Sequence, residues 1–231
     1  MAWLNEWLDT LYNTFIVGER YKTIIEGFGN TLLITIGALI IGVVIGSIVA
    51  VIKVFARDNK KLKVLDVICD IYLTVIRGTP VVVQLLIMFF IVFVSADDGR
   101  WVAILTFGIN SGAYVAEVIR SGILAIDIGQ TEAGRSLGFS NVRTMWLIVF
   151  PQALKNILPA IGNEMIALLK ETSVAGYVAV MDLTKAGNQI RNNTYDSINP
   201  LLLVALVYLI LVIFLTKALS VVERRLRKNE R

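Results

Sequence analysis

Residues 27–52 read GFGNTLLITIGALIIGVVIGSIVAVI, and from Glu26 to Lys53 the interval carries no charge. Crossing about 30 Å of hydrocarbon takes about 20 apolar residues in a helix, so this stretch alone is long enough to span a bilayer. Lipid offers backbone N–H and C=O groups no partner, which makes the helix the expected form. Composition agrees, because 56% of the 231 residues are hydrophobic, more than a soluble domain carries.

Outward from this segment, further spans follow. Asp66 to about Val94 gives a second, unusually long and broken at Gly78-Thr79-Pro80; Trp101 to about Ile119 gives a third, about Asn156 to Met181 a fourth, and Asn199 to about Leu219 a fifth. The expected fold is an all-α membrane protein with five transmembrane helices in one domain, residues 28–220, with a basic tail over 221–231. Residues 1–27 form an external segment. Within it Trp3, Leu4, Trp7, Leu8, Leu11, Tyr12 and Phe15 fall on one helical face, which predicts a helix over 2–16 lying in the membrane surface. The acidic residues among them argue against a cleavable signal peptide.

Five spans put the termini on opposite sides, and basic residues decide which is which, since Lys and Arg are retained in the cytoplasm. One side holds Lys53, Arg57, Lys60, Lys61, Lys63, Arg120, Arg135, Arg143, Lys155, Lys217, Arg224, Arg225, Arg227, Lys228 and Arg231; the other holds Arg20, Lys22, Arg100, Lys185 and Arg191. The N-terminus is therefore expected outside and the C-terminus in the cytoplasm. The net charge of +4 is explained by this asymmetry and does not call for a nucleic-acid partner. Residues 120–155 become the one sizeable cytoplasmic insertion, and Asp182 to Asn199 a polar external connection.

A lone Cys69 excludes an internal disulfide, and the lack of any histidine excludes a histidine-based catalytic triad or zinc site. No metal is expected. Nor does a Gly-x-x-x-x-Gly-Lys-Ser/Thr loop occur, so the chain is not expected to cradle a nucleotide in that way. The cytoplasmic insertion is more telling. Asp127 reads as a cap for a short helix through Gln130, Thr131, Glu132, Ala133, Gly134, Arg135, Ser136 and Leu137, stopped by Gly138. Leu137 and Phe139 leave an apolar tip beside charges, the composition of a docking knob.

The run Glu132-Ala133-Gly134, then Gly138, then Ile148-Val149-Phe150-Pro151 resembles the cytoplasmic signature of ABC importer permeases: Glu-Ala-Ala, three residues, Gly, nine residues, Ile-x-Leu-Pro. The spacing agrees at every step, with Gly134 for the second Ala and Phe150 for Leu. Arg77-Gly78-Thr79-Pro80, Ala113 to Arg120, Gly129 to Ala133, Pro151-Gln152-Ala153-Leu154 and Leu169 to Ser173 narrow the resemblance to the polar amino acid uptake branch. It covers nearly all the chain beyond the first two dozen residues. Ile126-Asp127-Ile128-Gly129 departs from the Val-Pro usual in that branch.

The resemblance implies a type I ABC importer fold and a transport subunit that is not itself an enzyme. Two permease subunits, identical or similar, would form the pathway. Separate ATPase subunits would bind ATP and Mg and dock on Glu132, Ala133, Gly134, Arg135, Leu137, Gly138 and Phe139, and an extracytoplasmic binding protein would deliver the amino acid. The setting would be the bacterial plasma (inner) membrane.

Charges within a bilayer need partners or water, so Arg77, Glu164, Lys170 and Glu171 stand out. Depth counting along the spans brings the Gly78-Thr79-Pro80 break, Asn110 and Ser111, and Asn163 and Glu164 to one level. A helix broken at mid-depth is typical of transporter sites. An amino acid needs an acceptor for its ammonium and donors for its carboxylate. Glu164 is accordingly assigned to a cationic group, Arg77 or the Thr79 region to the carboxylate, and Asn110 and Asn163 to orientation. The intramembrane carboxylates lean toward arginine, lysine or histidine over glutamine or glutamate. Lys170 and Glu171 serve the pathway or neutralise each other or neighbouring spans, Gly42 and Gly46 form a packing pair, and Asp66 and Asp70 share a face and line a cytoplasmic exit or pair with the cluster Lys60 to Lys63. The alternative function is an ion-coupled secondary carrier or channel, with the same charges as coupling-ion sites.

Overall fold

A computed structural model describes residues 2–56 and 59–227, and no strand occurs among them. Arg57, Lys228 and Arg231, counted above among the basic residues, lie outside the described residues. Helix α1, Ala2–Leu11, continues through a wide turn at Tyr12–Ile16 and a tight one at Val17–Glu19. A helix forms within the stretch expected to be helical, with Trp3, Trp7, Leu8 and Tyr12 exposed. It is also tied down: Trp7 Nε1 donates to Asn199 Oδ1 at 3.2 Å, and the buried Thr14 hydroxyl donates to Asp196 at 2.9 Å.

Helix α2, Tyr21–Ala56, is the segment quoted at the outset extended at both ends. Its 36 residues exceed the bilayer requirement, so Lys22, Glu26 and Lys53 belong to the helix rather than bounding it. The second span is broken where Pro80 predicts. Helix α3, Lys63–Gly78, ends in an extended Thr79, and α4, Val81–Ile87, starts again one residue after the proline. Pro80 has no N–H to donate four residues back, and the residue before a proline avoids helical geometry. The Thr79 hydroxyl donates instead to the Val75 carbonyl at 2.8 Å.

Helix α5, Gly99–Leu124, is the third span. The fourth differs most from expectation. Helicity begins at Asn141, not near Asn156, running through α7, Asn141–Thr144, a wide turn at Met145–Val149, and α8, Phe150–Glu171. Pro151 sits just inside α8. A proline within a helix clashes with the carbonyl four residues back, and here the preceding turn widens so that Phe150 N–H donates to Met145 O. The widened turn carries the helix past the proline. The insertion between spans shrinks accordingly to α6, Ile128–Ser136, and its flanking turns.

The polar connection after Asp182 is likewise helical, as α9, Leu183–Thr194, before the last span, α10, Asn199–Arg227. Among the described residues four helices are long and apolar enough to cross a membrane, and the count is five where the bent pair α3 and α4 is taken as one broken span rather than a re-entrant loop. The chain divides into two compact units: Met1–Ala38, Val81–Phe107 and Leu168–Phe214 in one, Leu39–Pro80, Gly108–Ala167 and Leu215–Arg231 in the other.

The first unit is centred on Ile24, Leu183, Ala186, Ile190 and Val204. Asp182 organises it. Its carboxylate is fully buried and accepts from Lys185 N and Gly176 N, each at 2.6 Å, capping α9 and closing the Thr172–Val178 turn. Thr31 Oγ1 accepts from Leu183 N at 3.1 Å. Burial pushes the Asp182 carboxyl above the ordinary range, against the backbone donors that lower it. A raised folded-state value means that the native state holds the proton more tightly, so stability falls as pH rises through that value. Asp182→Asn should flatten this fall while keeping the cap, and Asp182→Ala should cost about 1–3 kcal/mol at all pH. Thermal unfolding in detergent across pH 4 to 8 measures both; an Asn variant as pH-dependent as the native chain refutes the assignment.

The second unit is centred on Ala50, Val115, Ile119, Val149, Ala153 and Ile157, with a satellite of Val49, Cys69 and Ala116. All the residues singled out for docking, and Arg77, Thr79, Asn110, Asn163 and Glu164, belong to this unit.

Candidate functional site

Asp127 caps α6 by accepting from Gly129 N at 2.6 Å, so this departure from the usual loop sequence still starts the helix. At the other end Gly138 N donates to Arg135 O at 2.9 Å and Phe139 N to Gly134 O at 3.1 Å. That pair of bonds defines a Schellman stop, which requires left-handed geometry at Gly138, where φ is +84°. Ser140 then accepts from Arg143 N and opens α7.

The stop sets what α6 displays. Glu132, Ala133, Arg135 and Gly138 are exposed, Leu137 is 75% exposed, and Phe139 is half-buried. Gly134 points the other way. It is buried, and a Cβ there would come within 2.7 Å of Thr144 Cγ2 and 2.9 Å of Ile148 Cδ1. Gly134 therefore seats α6 on the following helix rather than meeting a partner, which accounts for a smaller residue where the signature has Ala. Gln152 Nε2 donates to Gln130 Oε1 at 3.1 Å and ties the two segments together again.

In the span region, Ser111 Oγ donates to Glu164 Oε1 at 3.0 Å, joining α5 to α8 at the level depth counting selected. Gly42 enables this. A Cβ there would lie 2.9 Å from Ser111 Oγ, and one at Gly46 2.7 Å from Val115, so the two glycines bring α2 against α5. Asn110 is buried beside Ser111, Glu164 is half-buried, and Asn163 is exposed.

Arg77 and Thr79 are both exposed, and Arg77 lies over the Tyr114 ring, 5.6 Å from its centroid. It lines a cleft of about 690 Å3 with Lys53, Asp70, Tyr114, Glu117 and Arg120. Within that cleft Arg120 pairs with Glu117, Nε to Oε2 at 3.1 Å, and Lys53 reaches Asp70 and, outside the cleft lining, Asp66, each at 2.7 Å. The partner of the two aspartates is thus Lys53 on α2, not the neighbouring Lys60 to Lys63. Lys170 and Glu171 form no close ion pair with each other among the described residues.

Sequence reasoning missed the Lys53 bridge because its partners lie on another helix. Glu117 and Arg120 were findable, since charges three apart on a helix face one another.

The family model described as binding-protein-dependent transport system inner membrane component matches residues 42–228. The chain belongs to that family. This permease is 38% identical over 210 residues to the arginine transport system permease protein ArtQ of Bacillus subtilis (strain 168), covering 90% of this chain and 94% of that one. It is 34% identical over 208 residues to the glutamine transport system permease protein GlnP of Escherichia coli (strain K12), covering 88% and 93%. A crystal structure of an amino acid ABC transporter with histidines superposes with a TM-score of 0.82 at 38% identity, over 91% of this chain and 98% of that one. An inward-facing MetNI methionine ABC transporter gives 0.77 at 23% identity, over 89% and 97%, and shows the shared fold.

The fold is that of type I ABC importers, and the permease is a multi-pass inner-membrane transport subunit, not a catalytic one. The comparisons lend nothing to the carrier or channel alternative.

Proposed function

We propose that this permease forms the translocation pathway of an ATP-driven importer of amino acids, basic or polar, with arginine, lysine or histidine favoured and glutamine possible. The observation that carries the reading is α6, a capped and stopped helix that holds Leu137 exposed beside Glu132 and Arg135. A separate ABC ATPase, binding ATP and Mg, docks on that face, since the permease has no phosphate loop of its own. Closure of the ATPase then moves α6 and, through the Gly134 and Gln130 contacts, the helix behind it as a rigid body.

A second permease subunit, identical or similar, completes the pathway, and an external binding protein delivers substrate. The N-terminus lies outside and the C-terminus in the cytoplasm. Glu164, oriented by Ser111 and flanked by Asn110 and Asn163, receives the cationic group. Arg77 and the Thr79 turn receive the carboxylate. Uptake of labelled arginine, histidine and glutamine into proteoliposomes holding permease, ATPase and binding protein tests this. ATP-dependent uptake of a basic amino acid supports the reading, and uptake that persists without ATP on an ion gradient refutes it.

A further inference from the structure

An apolar groove of about 320 Å3 runs between α2, α5 and the α7–α8 helix. Its lining runs from Val43 and Ile161 at one end to Phe55 and Trp146 at the other, and includes no charged side chain. The twelve-residue offset from Val43 to Phe55 corresponds to about 18 Å along a helix, close to the roughly 15 Å of a single leaflet's hydrocarbon. Along its open side Val51, Trp146 and Leu158 are 43–52% exposed.

The two ends differ in charge. One turn before Trp146, on the same helix, stands Arg143, exposed. Beyond Phe55 in sequence, the tight turn Lys60–Leu62 carries exposed Lys60 and Lys61. An indole at the mouth of an apolar slot with cations just beyond it matches the layering of a phospholipid, acyl chain below and phosphate above. A transmembrane helix of a second protein would need a face running through both leaflets, and this groove is one leaflet long.

We propose that the groove binds one acyl chain of an anionic phospholipid, with the headgroup phosphate held at Arg143. The site lies beside the helix that seats α6, so an occupied groove would brace Trp146 and Phe150, which stack edge-on at 5.0 Å.

The full-length chain with Trp3, Trp7 and Trp101 changed to Phe leaves Trp146 as the sole indole. It is reconstituted in vesicles containing phosphatidylglycerol or phosphatidylcholine brominated on the acyl chain. Trp146 fluorescence should reach half-quenching at about fivefold lower mole fraction of the anionic lipid, the preference expected of one basic side chain at a charged headgroup. Arg143→Gln, on the surface, should remove the preference and leave quenching by both lipids, while Ser47→Leu, inside the groove, should weaken quenching by both. Equal curves for the two lipids in the native-Arg143 chain overturn the headgroup assignment. Absence of quenching by either shows the groove to be covered by protein and overturns the proposal altogether.

Discussion

Changing Gly138 to Asp is expected to strip the ATPase from the purified complex and abolish ATP-dependent uptake while leaving the permease folded. The backbone at Gly138 has φ +84°, and an added Cβ would meet nothing within 4 Å. The substitution therefore has no steric clash to relieve and acts through the backbone and through charge. Left-handed geometry costs a residue with a Cβ about 1–2 kcal/mol, too little to unfold a domain stable by about 5–15 kcal/mol. It is enough to loosen the stop that aims Leu137, and the new carboxylate joins Glu132 on a face that already carries both signs. Gly138→Ala separates the two effects, since it brings the strain without the charge and should lose about tenfold in docking affinity. Co-purification and substrate-stimulated ATPase activity, measured beside gel-filtration profiles, read both variants. Stoichiometric ATPase retained by the Asp variant would remove α6 as the docking element.

Much of the fold was legible because the signals were long or chemically distinctive. The uncharged interval within α2, the Pro80 break, the Asp127 cap and the Gly138 stop each depend on residues that read the same way in any context. What failed to read were segments whose structure depends on distant partners. The charges Arg143 and Lys155 place residues 120–155 in an insertion between spans, yet a widened turn before Pro151 lets the helix run from Asn141 to Glu171. The polar residues after Asp182 suggest an external loop, yet one buried carboxylate caps a helix there and closes the turn before it. In the candidate substrate site, depth counting placed Asn110, Ser111, Asn163 and Glu164 together, and the Ser111 to Glu164 bond joins two of them. It could not show that Arg77 faces Tyr114 in a cleft of paired charges, because helix-to-helix registry is set by close approaches such as Gly42 on Ser111. Gly134 is a similar case: its place in the docking signature is plain from spacing, but only packing shows that it faces inward.

Glu164→Ala is expected to lower uptake of arginine or histidine by about 10- to 100-fold and of glutamine by only a few-fold. A charge-assisted hydrogen bond contributes about 1.5–3 kcal/mol, and each 1.4 kcal/mol is tenfold. Glutamine's amide side chain brings no cation to the carboxylate, so it loses only the orienting contact. Two further variants separate charge from scaffolding. Glu164→Gln keeps an acceptor for the Ser111 hydroxyl, which now lies 3.0 Å from Oε1, but removes the negative charge. Ser111→Ala keeps the charge and removes the positioning bond. If Glu164 is the cation acceptor, the Gln variant should be nearly as defective as Ala toward basic substrates, and Ser111→Ala much milder. The opposite order, with Gln restoring transport and Ser111→Ala damaging it, would make the pair a helix-to-helix strut between α5 and α8. The intramembrane carboxylate would then say nothing about which amino acid is carried, and the preference for basic substrates would lose its main support.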